Sequence, residues 1–421
     1  MWDLLILTAA SNHQAATFRK LIDKIDISEF CRAVEIIEDE PSGVRIGSGG
    51  SSLNVCQHLE SSNPNSKILL IHSGGLSQRM PHLSARGKIF ARLPGGRTVL
   101  ETKLDGYRKL SSSLPPGLMI TASDVLEDMS NLPSIIPECD VTIFAHQSSI
   151  EVAEQHGVFV LRGEKLECVL QKPSRELMEK HGACHNGSAL TDSCFHVNWS
   201  VVRRLAEISQ KTYPMTAELC CYGDFMRPMG TRPIIDYIDS SPKLQNVRKL
   251  LFELFSKTSP QIVNLGPDTF YHLGTCAEFL YHCSSKSTFC AKFGSNFSEE
   301  SYIEKSELGS GKTGKSCIIV GSHVSSVPDQ LMVFTYNLGA ADRFVCFIFR
   351  IDDDMKKLGE LVWNGRQTGL HGEFWNAKLF DEKKTKHEAF LDSMKRWNSE
   401  MVEPGKYSLA DVVGLHDVDL E

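Results

Sequence analysis

Short apolar runs alternate with amphipathic stretches through the first two hundred residues of the chain. The apolar runs have the length and composition of buried strands; in chain order they are DLLILTAA, AVEIIED, KILLIHSGG, GLMITASD and DVTIFAHQ. The stretches between them have the composition and apolar spacing of helices; they are HQAATFRKLIDKI, SSLNVCQHLE and TVLETKLDGYRKLSSSL. This alternation predicts an α/β fold with a mostly parallel sheet covered by helices.

The pattern changes in the second half of the chain. VRKLLFELFSK and TCAEFLYHC have helical spacing, and a small, polar segment over residues 284–300 has the composition of a linker. Three close-set β-like runs follow it; they are CIIVGSHVSSV, QLMVFTYNL and RFVCFIFRI. We therefore predict a catalytic domain over residues 1–300 and a smaller all-β domain over residues 301–421, with KHEAFLDSMKRW as a closing helix.

Composition narrows the class of protein. The chain has 421 residues, 23% of them charged, and a formal net charge of -7. A negative balance argues against broad nucleic-acid binding, which needs a basic field. Thirteen cysteines without metal-type spacing indicate reduced thiols. The short apolar run at the N-terminus fits neither a signal peptide nor a membrane span, so we expect a cytoplasmic protein that does not enter membranes.

The stretch GSGKTGKS, residues 309–316, matches the phosphate-loop pattern G-x-x-x-x-G-K-[ST]. A working loop of that kind follows a buried strand and opens a helix, whose free N–H groups point at the phosphate. Here the polar EESYIEKSEL precedes the pattern, and CIIVGSHV, which favours a strand, follows it. We therefore predict that this loop is a turn and does not bind nucleotide.

A better phosphate site lies in KILLIHSGGLSQRMPHLSARGKIFARLP, residues 67–94. A predicted strand ends there in a Gly-Gly loop that lets the backbone approach a phosphate closely. A hydroxyl, a guanidinium and an ammonium group follow it, and all three bind phosphate oxygens well. The candidate residues are Ser73, Gly74, Gly75, Ser77, Arg79 and Lys88.

A second glycine loop, RIGSGGSSLNVC, covers residues 45–56. It contains Gly47, Gly49 and Gly50, and it precedes a predicted helix for which Ser51 or Ser52 would be the N-cap. Its backbone N–H groups could hold a phosphate or a base, or the glycines could simply form a tight turn. The residues alone do not separate these two interpretations.

These loops together resemble a known family. SGGLSQRM followed by GK is similar to the signature of sugar nucleotidylyltransferases, and IHSGGLSQRMPHLSARGKIF with RIGSGGSSL upstream resembles the fucose-1-phosphate guanylyltransferases, also called GDP-fucose pyrophosphorylases. Further counterparts follow in the same order along the chain; they are ITASDVLE, HGVFVL, LQKPSRELM, LTDSCFHV, YGDF and FYHLGT. Several motifs in order are a specific signal, although each alone is weak.

The resemblance implies a Rossmann-like, GT-A-like nucleotidyltransferase domain and a C-terminal region related to a left-handed β-helix. It implies that GTP and fucose 1-phosphate give GDP-fucose and pyrophosphate, with Mg²⁺ as cofactor. The sugar phosphate would attack the α-phosphate in line, so that positioning and charge neutralisation do most of the work. Arg79 and Lys88 would hold the triphosphate.

Three aspartates are candidates for metal or sugar binding. Asp124 follows a predicted strand, at the edge where ligands gather in open α/β sheets. The resemblance makes it a Mg²⁺ ligand, and the other interpretation is the N-cap of a helix over VLEDM. Asp224 in YGDF is the candidate second Mg²⁺ carboxylate, or an ordinary surface residue. Asp192 in LTDSCF either competes for that role or binds the sugar.

The sugar phosphate site rests on the resemblance. Lys172 in LQKPS would hold the sugar phosphate, and its positive charge would reduce the repulsion between that phosphate and the triphosphate. His156 and Gly157 would shape this site together with Gly274 and His272, although a lone histidine is more often structural.

Three alternatives stay open from the sequence. The chain could act on another sugar or another base, because no residue pattern physically selects guanine. It could be an inactive binding or scaffold module that keeps the fold. It could be a phosphate-loop ATPase that uses GSGKTGKS. The sequence indicates small-molecule partners and contains no signal for a particular oligomeric state.

Overall fold

The computed structural model describes residues 1–293 and 301–421, and these residues form two compact units. The first unit comprises residues 1–15, 26–75 and 101–271. The second comprises residues 16–25, 76–100 and 272–421. The units therefore divide the chain differently from the predicted boundary near residue 300. That boundary stays a prediction, and the end of the predicted linker, residues 294–300, lies outside the described residues.

The first unit contains most of the elements up to residue 272. Its strands are β1 Leu4–Ala9, β2 Val34–Glu38, β3 Lys67–His72, β4 Gly117–Ala122, β5 Val125–Glu127, β6 Val141–Ser149, β7 Gly157–Arg162, β8 Lys165–Gln171, β9 Ser188–Val197, β10 Gln261–Pro267 and β11 Phe270–His272. The helices over this part of the chain are α1 Asn12–Ile22, α2 Gly47–His58, α3 Val99–Gly106, α4 Arg108–Ser113, α5 Ile150–Ala153, α6 Arg175–His181, α7 Trp199–Thr212, α8 Cys221–Asp224 and α9 Gln245–Phe255. Both α1 and α3 cross a boundary between the units.

A nine-stranded sheet forms the centre of the first unit as far as the described residues show. Its main path runs β10-β6-β9-β4-β3-β1-β2, and β7 and β8 join it through β9. Four pairings on this path are parallel: β1 with β2, β1 with β3, β3 with β4, and β6 with β10. β9 is antiparallel to both β4 and β6. The predicted α/β fold with a mainly parallel sheet is confirmed. The antiparallel strand β9 in the middle of the sheet was not predicted.

Burial follows the pattern that predicted these strands. β1, β3 and β4 are buried almost throughout, as expected for strands that are covered on both faces. Helix α7 turns its apolar side, which includes Val202 and Leu205, into the same core as α2 and α9. The Asn198 side chain caps α7 by accepting a hydrogen bond from the Val201 amide.

The second unit is rich in short strands. They are β12 Tyr302–Glu304, β13 Glu307–Leu308, β14 Ile318–Val320, β15 His323–Val324, β16 Leu331–Asn337, β17 Phe344–Arg350, β18 Gly359–Trp363 and β19 Arg366–Gly372. Its helices are α10 Cys276–His282, α11 Phe289–Phe293, α12 Lys386–Asn398 and α13 Leu409–Val413. Short 3-10 turns cover Pro81–Leu83, Lys88–Phe90, Phe374–Asn376 and Val418–Leu420.

Short parallel strands stack in register in this unit. β12, β14 and β16 form one parallel ladder, β13 and β15 form another, and β17 closes the first ladder in the antiparallel sense. The predicted closing helix is confirmed as α12, which starts with a capping box formed by Thr385 and Glu388. Because α12 and α13 belong to residues 301–421, the prediction of an all-β region is not confirmed as it stands. Among the described residues, none of the helices combines the length and the hydropathy needed to cross a membrane.

Candidate active site

The carboxyl ends of β1, β3 and β4 meet at one edge of the sheet. The amides of Ser73 and Gly74, directly after β3, donate to Thr8 Oγ1 at 3.1 and 3.3 Å. Gln14 Nε2 donates to the Gly75 carbonyl at 2.9 Å. Gly75 has a φ of +107°, a conformation that favours glycine. The predicted Gly-Gly loop therefore lies where the sequence placed it, at the ligand-binding edge of an open α/β sheet.

The second glycine loop, residues 45–56, is helical from Gly47 onwards. Helix α2 starts at Gly47, so the prediction of Ser51 or Ser52 as its N-cap is wrong. Gly49 donates its amide to the Leu219 carbonyl at 2.8 Å, and a Cβ built on Gly49 would lie 2.8 Å from Leu219 Cγ. Close packing against Leu219 thus accounts for glycine at this position. A ligand-binding role for Gly47, Gly49 and Gly50 stays a prediction.

Two serines attach α2 to the same edge of the sheet. Ser51 Oγ hydrogen-bonds to the carboxylate of Asp39, the residue after β2. Ser52 Oγ lies 3.1 Å from Nε2 of His72, the last residue of β3. Burial raises the pKa of Asp39 to about 6 against the effect of the Ser51 hydrogen bond. Sequence reasoning gave no role to Asp39, which lies outside every motif, or to His72, which ends the strand in the motif IHSGGLSQRM.

Asp124 lies in a two-residue turn between β4 and β5. The amide of the other turn residue, Ser123, donates to the His72 carbonyl at 3.1 Å, which ties the turn to the end of β3. The Asp124 side chain is half-buried. Residues 125–127 form a strand, so the alternative of a helix N-cap at Asp124 is wrong. Asp124 thus follows the carboxyl end of β4, as predicted, and its role as a metal ligand stays a prediction.

Four predicted sugar-site residues come together. The Lys172 amide donates to the His156 carbonyl at 3.0 Å, and the Gly157 amide donates to Asp192 Oδ1 at 3.0 Å. A Cβ on Gly157 would collide with Asp192 Oδ2, which explains the glycine. Lys172 has a φ of +46°, a strained conformation for a lysine, and its side chain is exposed.

Asp192 is buried, with 4% of its surface exposed. Burial raises the pKa of its carboxyl to about 7, although the Gly157 amide and the charge of Lys172 oppose that effect. Oδ2 of Asp192 has no hydrogen-bond partner within the described residues. A buried oxygen without a partner costs free energy, and a ligand hydroxyl group would satisfy it.

Two further buried atoms near Asp192 lack a partner among the described residues. They are Oε1 of Gln171, which pairs with Gly157 across β7 and β8, and the hydroxyl of Tyr222. A Cβ on Gly223 would lie 3.4 Å from Gln171 Cδ, so residues 220–224 pack against the end of β8. Gln171 lies in the motif LQKPSRELM and Tyr222 opens the motif YGDF, so these motifs could have marked both residues.

Asp224 has partners that leave little room for a metal ion. Its Oδ1 accepts from Arg248 Nε at 2.9 Å and from the Arg227 guanidinium at 3.3 Å. Its Oδ2 accepts from the Cys220 amide at 2.9 Å. Asp224 is 2% exposed and serves as the buried counter-ion of two arginines. The structure therefore does not support the prediction of Asp224 as second metal ligand.

Ser77, Arg79 and Lys88 belong to the second unit. Arg79 has an exposed side chain. Lys88 opens a 3-10 turn, and its Nζ donates to the Gly274 carbonyl at 2.9 Å. His272 pairs with Glu278 at 3.0 Å. Within this unit the FYHLGT motif therefore contacts the lysine of the predicted triphosphate site, and a sugar-binding role for Gly274 and His272 stays a prediction.

The predicted context of the GSGKTGKS loop is confirmed on its C-terminal side only, because the two-residue strand β13 directly precedes Gly309. Strand β14 follows it, and no helix starts at Ser316. The amides of Gly309 and Gly314 donate to the carbonyls of Val324 and Val327 at 2.8 and 2.7 Å, so they are used within the stacked strands. A Cβ on Gly311 would collide with a neighbouring backbone carbonyl. The glycines thus allow neighbouring chain segments to stack closely.

The family assignment comes from comparison with known proteins. Residues 61–304, more than half of the chain, match the model of the fucose pyrophosphorylase domain. The chain belongs to the fucose pyrophosphorylase family. The resemblance found in the motifs is therefore confirmed, and the matched residues include the Gly-Gly loop, Asp124 and the group around Lys172.

Two relatives named fucose-1-phosphate guanylyltransferase are similar over most of the chain. The Mus musculus protein is 31% identical over 369 aligned positions, which cover 76% of this chain and 62% of the mouse protein. The Homo sapiens protein is 28% identical over 475 aligned positions, which cover 90% of this chain and 78% of the human protein. The chain thus spans less than two thirds of the mouse relative.

A solved structure of HddC from Yersinia pseudotuberculosis, complexed with GMP-PN, overlaps more weakly. It is 9% identical, has a TM-score of 0.29, and covers 67% of this chain and 98% of its own. A TM-score this low supports no conclusion about fold or ligand.

The carboxylates of this family member determine whether it can hold Mg²⁺. In the described residues, no three His, Cys, Asp or Glu side chains are grouped so as to hold a metal ion. Mg²⁺ needs only one or two protein carboxylates when phosphate oxygens and waters supply the rest. Asp124, half-buried beside the end of β3, fits a single-carboxylate site of this kind. Asp224, surrounded by arginines, does not.

Proposed function

We propose that this chain transfers the GMP group of GTP to fucose 1-phosphate, giving GDP-fucose and pyrophosphate. Family membership over residues 61–304 carries the proposal, and both mammalian relatives bear the name of this activity. The convergence of Lys172, His156, Gly157 and Asp192 supports it, because the family motifs led us to expect these residues in one sugar phosphate site.

Each side chain has a role that follows from its chemistry. Lys172, exposed and next to Asp192, would neutralise the sugar phosphate as it approaches the triphosphate. Asp192 would accept a sugar hydroxyl through its unpartnered Oδ2. Arg79 and Lys88 would hold the triphosphate and stabilise the charge that builds up on pyrophosphate. The reaction needs both substrates oriented for in-line attack on the α-phosphate, and it needs no covalent enzyme intermediate.

Asp124 is the side chain that we propose to hold Mg²⁺. The bound ion would neutralise phosphate charge during the transfer. The carboxylate itself lies in the turn that is tied to the end of β3, directly before the Gly-Gly loop. We also propose a cytoplasmic location, which is supported by thirteen free cysteines.

Pyrophosphate release over a matrix of nucleoside triphosphates and sugar 1-phosphates, with Mg²⁺, tests the proposal. Release confined to GTP with fucose 1-phosphate is the expected result. Release with another pair would keep the reaction class and replace the substrate. Absence of release with every pair, from a folded sample, would favour an inactive module. The Asp124→Asn variant is the matched control for release caused by a contaminating enzyme.

A further inference from the structure

An ion pair is completely enclosed in the first unit. Lys103 Nζ in α3 lies 2.7 Å from Glu127 Oε2 in β5, and both side chains are 0% exposed. Lys103 lies outside the family motifs, and Glu127 ends the motif ITASDVLE without a role in the proposed reaction. A charge pair that is wholly removed from water therefore needs an explanation.

The pair is the centre of a closed hydrogen-bond network. An ammonium group has three N–H donors, and Lys103 uses them on Glu127, on the Val125 carbonyl at 2.7 Å and on the Tyr107 hydroxyl at 3.3 Å. Tyr107 donates in turn to Thr121 Oγ1 at 3.2 Å, and Thr121 donates to Glu127 Oε1 at 3.3 Å. All these donors are satisfied, which fixes the relative positions of the five residues.

The network holds both sides of the Asp124 turn. Thr121 is the second-last residue of β4, Val125 is the first residue of β5, and the turn between the strands contains Asp124. Replacing a buried ion pair by apolar residues of similar volume is often neutral or stabilising, so stability alone gives little reason for one here. Its geometric effect is specific, because Lys103 holds the carbonyl of the residue next to Asp124.

We propose that the Lys103–Glu127 pair, with Thr121, is a positioning device for the Asp124 carboxylate. It fixes the turn so that this carboxylate meets a divalent cation on the triphosphate at the required geometry. The inference rests on the proposed function and goes beyond it by assigning residues that do not touch substrate. Mg²⁺ demands near-ideal octahedral geometry, so a small displacement of one ligand weakens its binding.

The coupling between cation and GTP binding tests this proposal. The dissociation constant of GTP is measured by calorimetry with excess EDTA and with Mg²⁺, without sugar phosphate, so that no turnover occurs. The coupling is the dissociation constant in EDTA divided by the dissociation constant with Mg²⁺. Thr121→Val removes one hydroxyl at constant shape, and Thr121→Ser keeps it. Loss of a residue that orients a metal ligand without touching the metal typically costs ten- to a hundredfold in metal affinity. We therefore expect Thr121→Val to lower the ratio by about tenfold.

Further variants separate positioning from stability. We expect Thr121→Ser to keep the wild-type ratio, and all proteins to bind GTP equally in EDTA. Leu251→Ala, in the fully buried part of α9, should lower the unfolding temperature and leave the ratio unchanged. If Thr121→Val folds poorly, the double variant Lys103→Met with Glu127→Gln removes both charges and is measured in the same way.

Failure of this inference differs from failure of the proposed function. A wild-type protein that releases pyrophosphate, together with a Thr121→Val ratio equal to the wild-type ratio, would overturn the positioning role alone. A wild-type protein that releases no pyrophosphate and shows no effect of Mg²⁺ on GTP binding would overturn both.

Discussion

The buried carboxyl of Asp192 should make the free protein less stable at high pH. Its environment has one donor for Oδ1, the Gly157 amide, and none for Oδ2 among the described residues. Asp192→Asn keeps the shape of the side chain and the hydrogen bond from Gly157. It removes the negative charge and leaves one amide group without a partner.

The sign and size of the effect follow from the pKa. Burial raises the pKa of Asp192 from 3.8 to about 7, so between these values the folded chain holds a proton that the unfolded chain has lost. The free energy of unfolding therefore falls as the pH rises through this window, and it is flat above it. Each pH unit is worth about 1.4 kcal/mol, so between pH 5 and pH 8 the wild-type protein loses roughly 3 kcal/mol at this site.

Urea unfolding of the wild-type protein and Asp192→Asn at pH 5 and pH 8 measures this effect. The variant does not titrate at residue 192, so its unfolding free energy should gain roughly 3 kcal/mol relative to wild type between the two pH values. The unpartnered amide subtracts about 1–3 kcal/mol at both pH values. Turnover of Asp192→Asn with fucose 1-phosphate should fall by roughly ten- to a hundredfold, because the sugar hydroxyl loses the charged carboxylate as its hydrogen-bond acceptor. An equal stability difference at both pH values would refute the reasoning.

Three other predictions concern single side chains. Lys88→Ala should raise the barrier by roughly 2–4 kcal/mol with an unchanged circular dichroism spectrum, and normal pyrophosphate release would remove Lys88 from the site. Lys315→Ala should release pyrophosphate at a near-normal rate, because its loop is part of the stacked strands; a large loss would restore the phosphate-loop interpretation. Arg248→Met should cost about 3–5 kcal/mol in urea unfolding, because it takes a partner from the buried carboxylate of Asp224. A changed Mg²⁺ requirement in that variant would instead give Asp224 a metal role.

Five strands of the first unit, β1 to β4 and β6, could be predicted, because buried strands need unbroken apolar runs. The six residues of β1 and of β3 illustrate this. The antiparallel position of β9 could not be predicted from the same pattern. Its direction depends on pairings with β4 and β6, which lie far away in the sequence.

The start of α2 shows a local preference that tertiary packing overrides. Each glycine in a helix costs about 1 kcal/mol relative to alanine, so the sequence favoured a loop at Gly47–Gly50. The structure makes these residues helical, and Gly49 packs there against Leu219, which lies 170 positions later. The partners of Asp224 could not be predicted for a related reason, since nothing near YGDF reveals that Arg248 neutralises it.

The interleaving of the two units affects how the chain is made and how truncations act. Residues 76–100, which carry Arg79 and Lys88, leave the ribosome before the largest segment of their unit, residues 272–421. At about 5–20 residues per second, synthesis of the intervening segment takes roughly 10–35 s. A premature stop codon after residue 271 would spare every predicted catalytic side chain. It would still remove the carbonyl of Gly274 that holds Lys88, so the damage would reach a residue almost two hundred codons upstream.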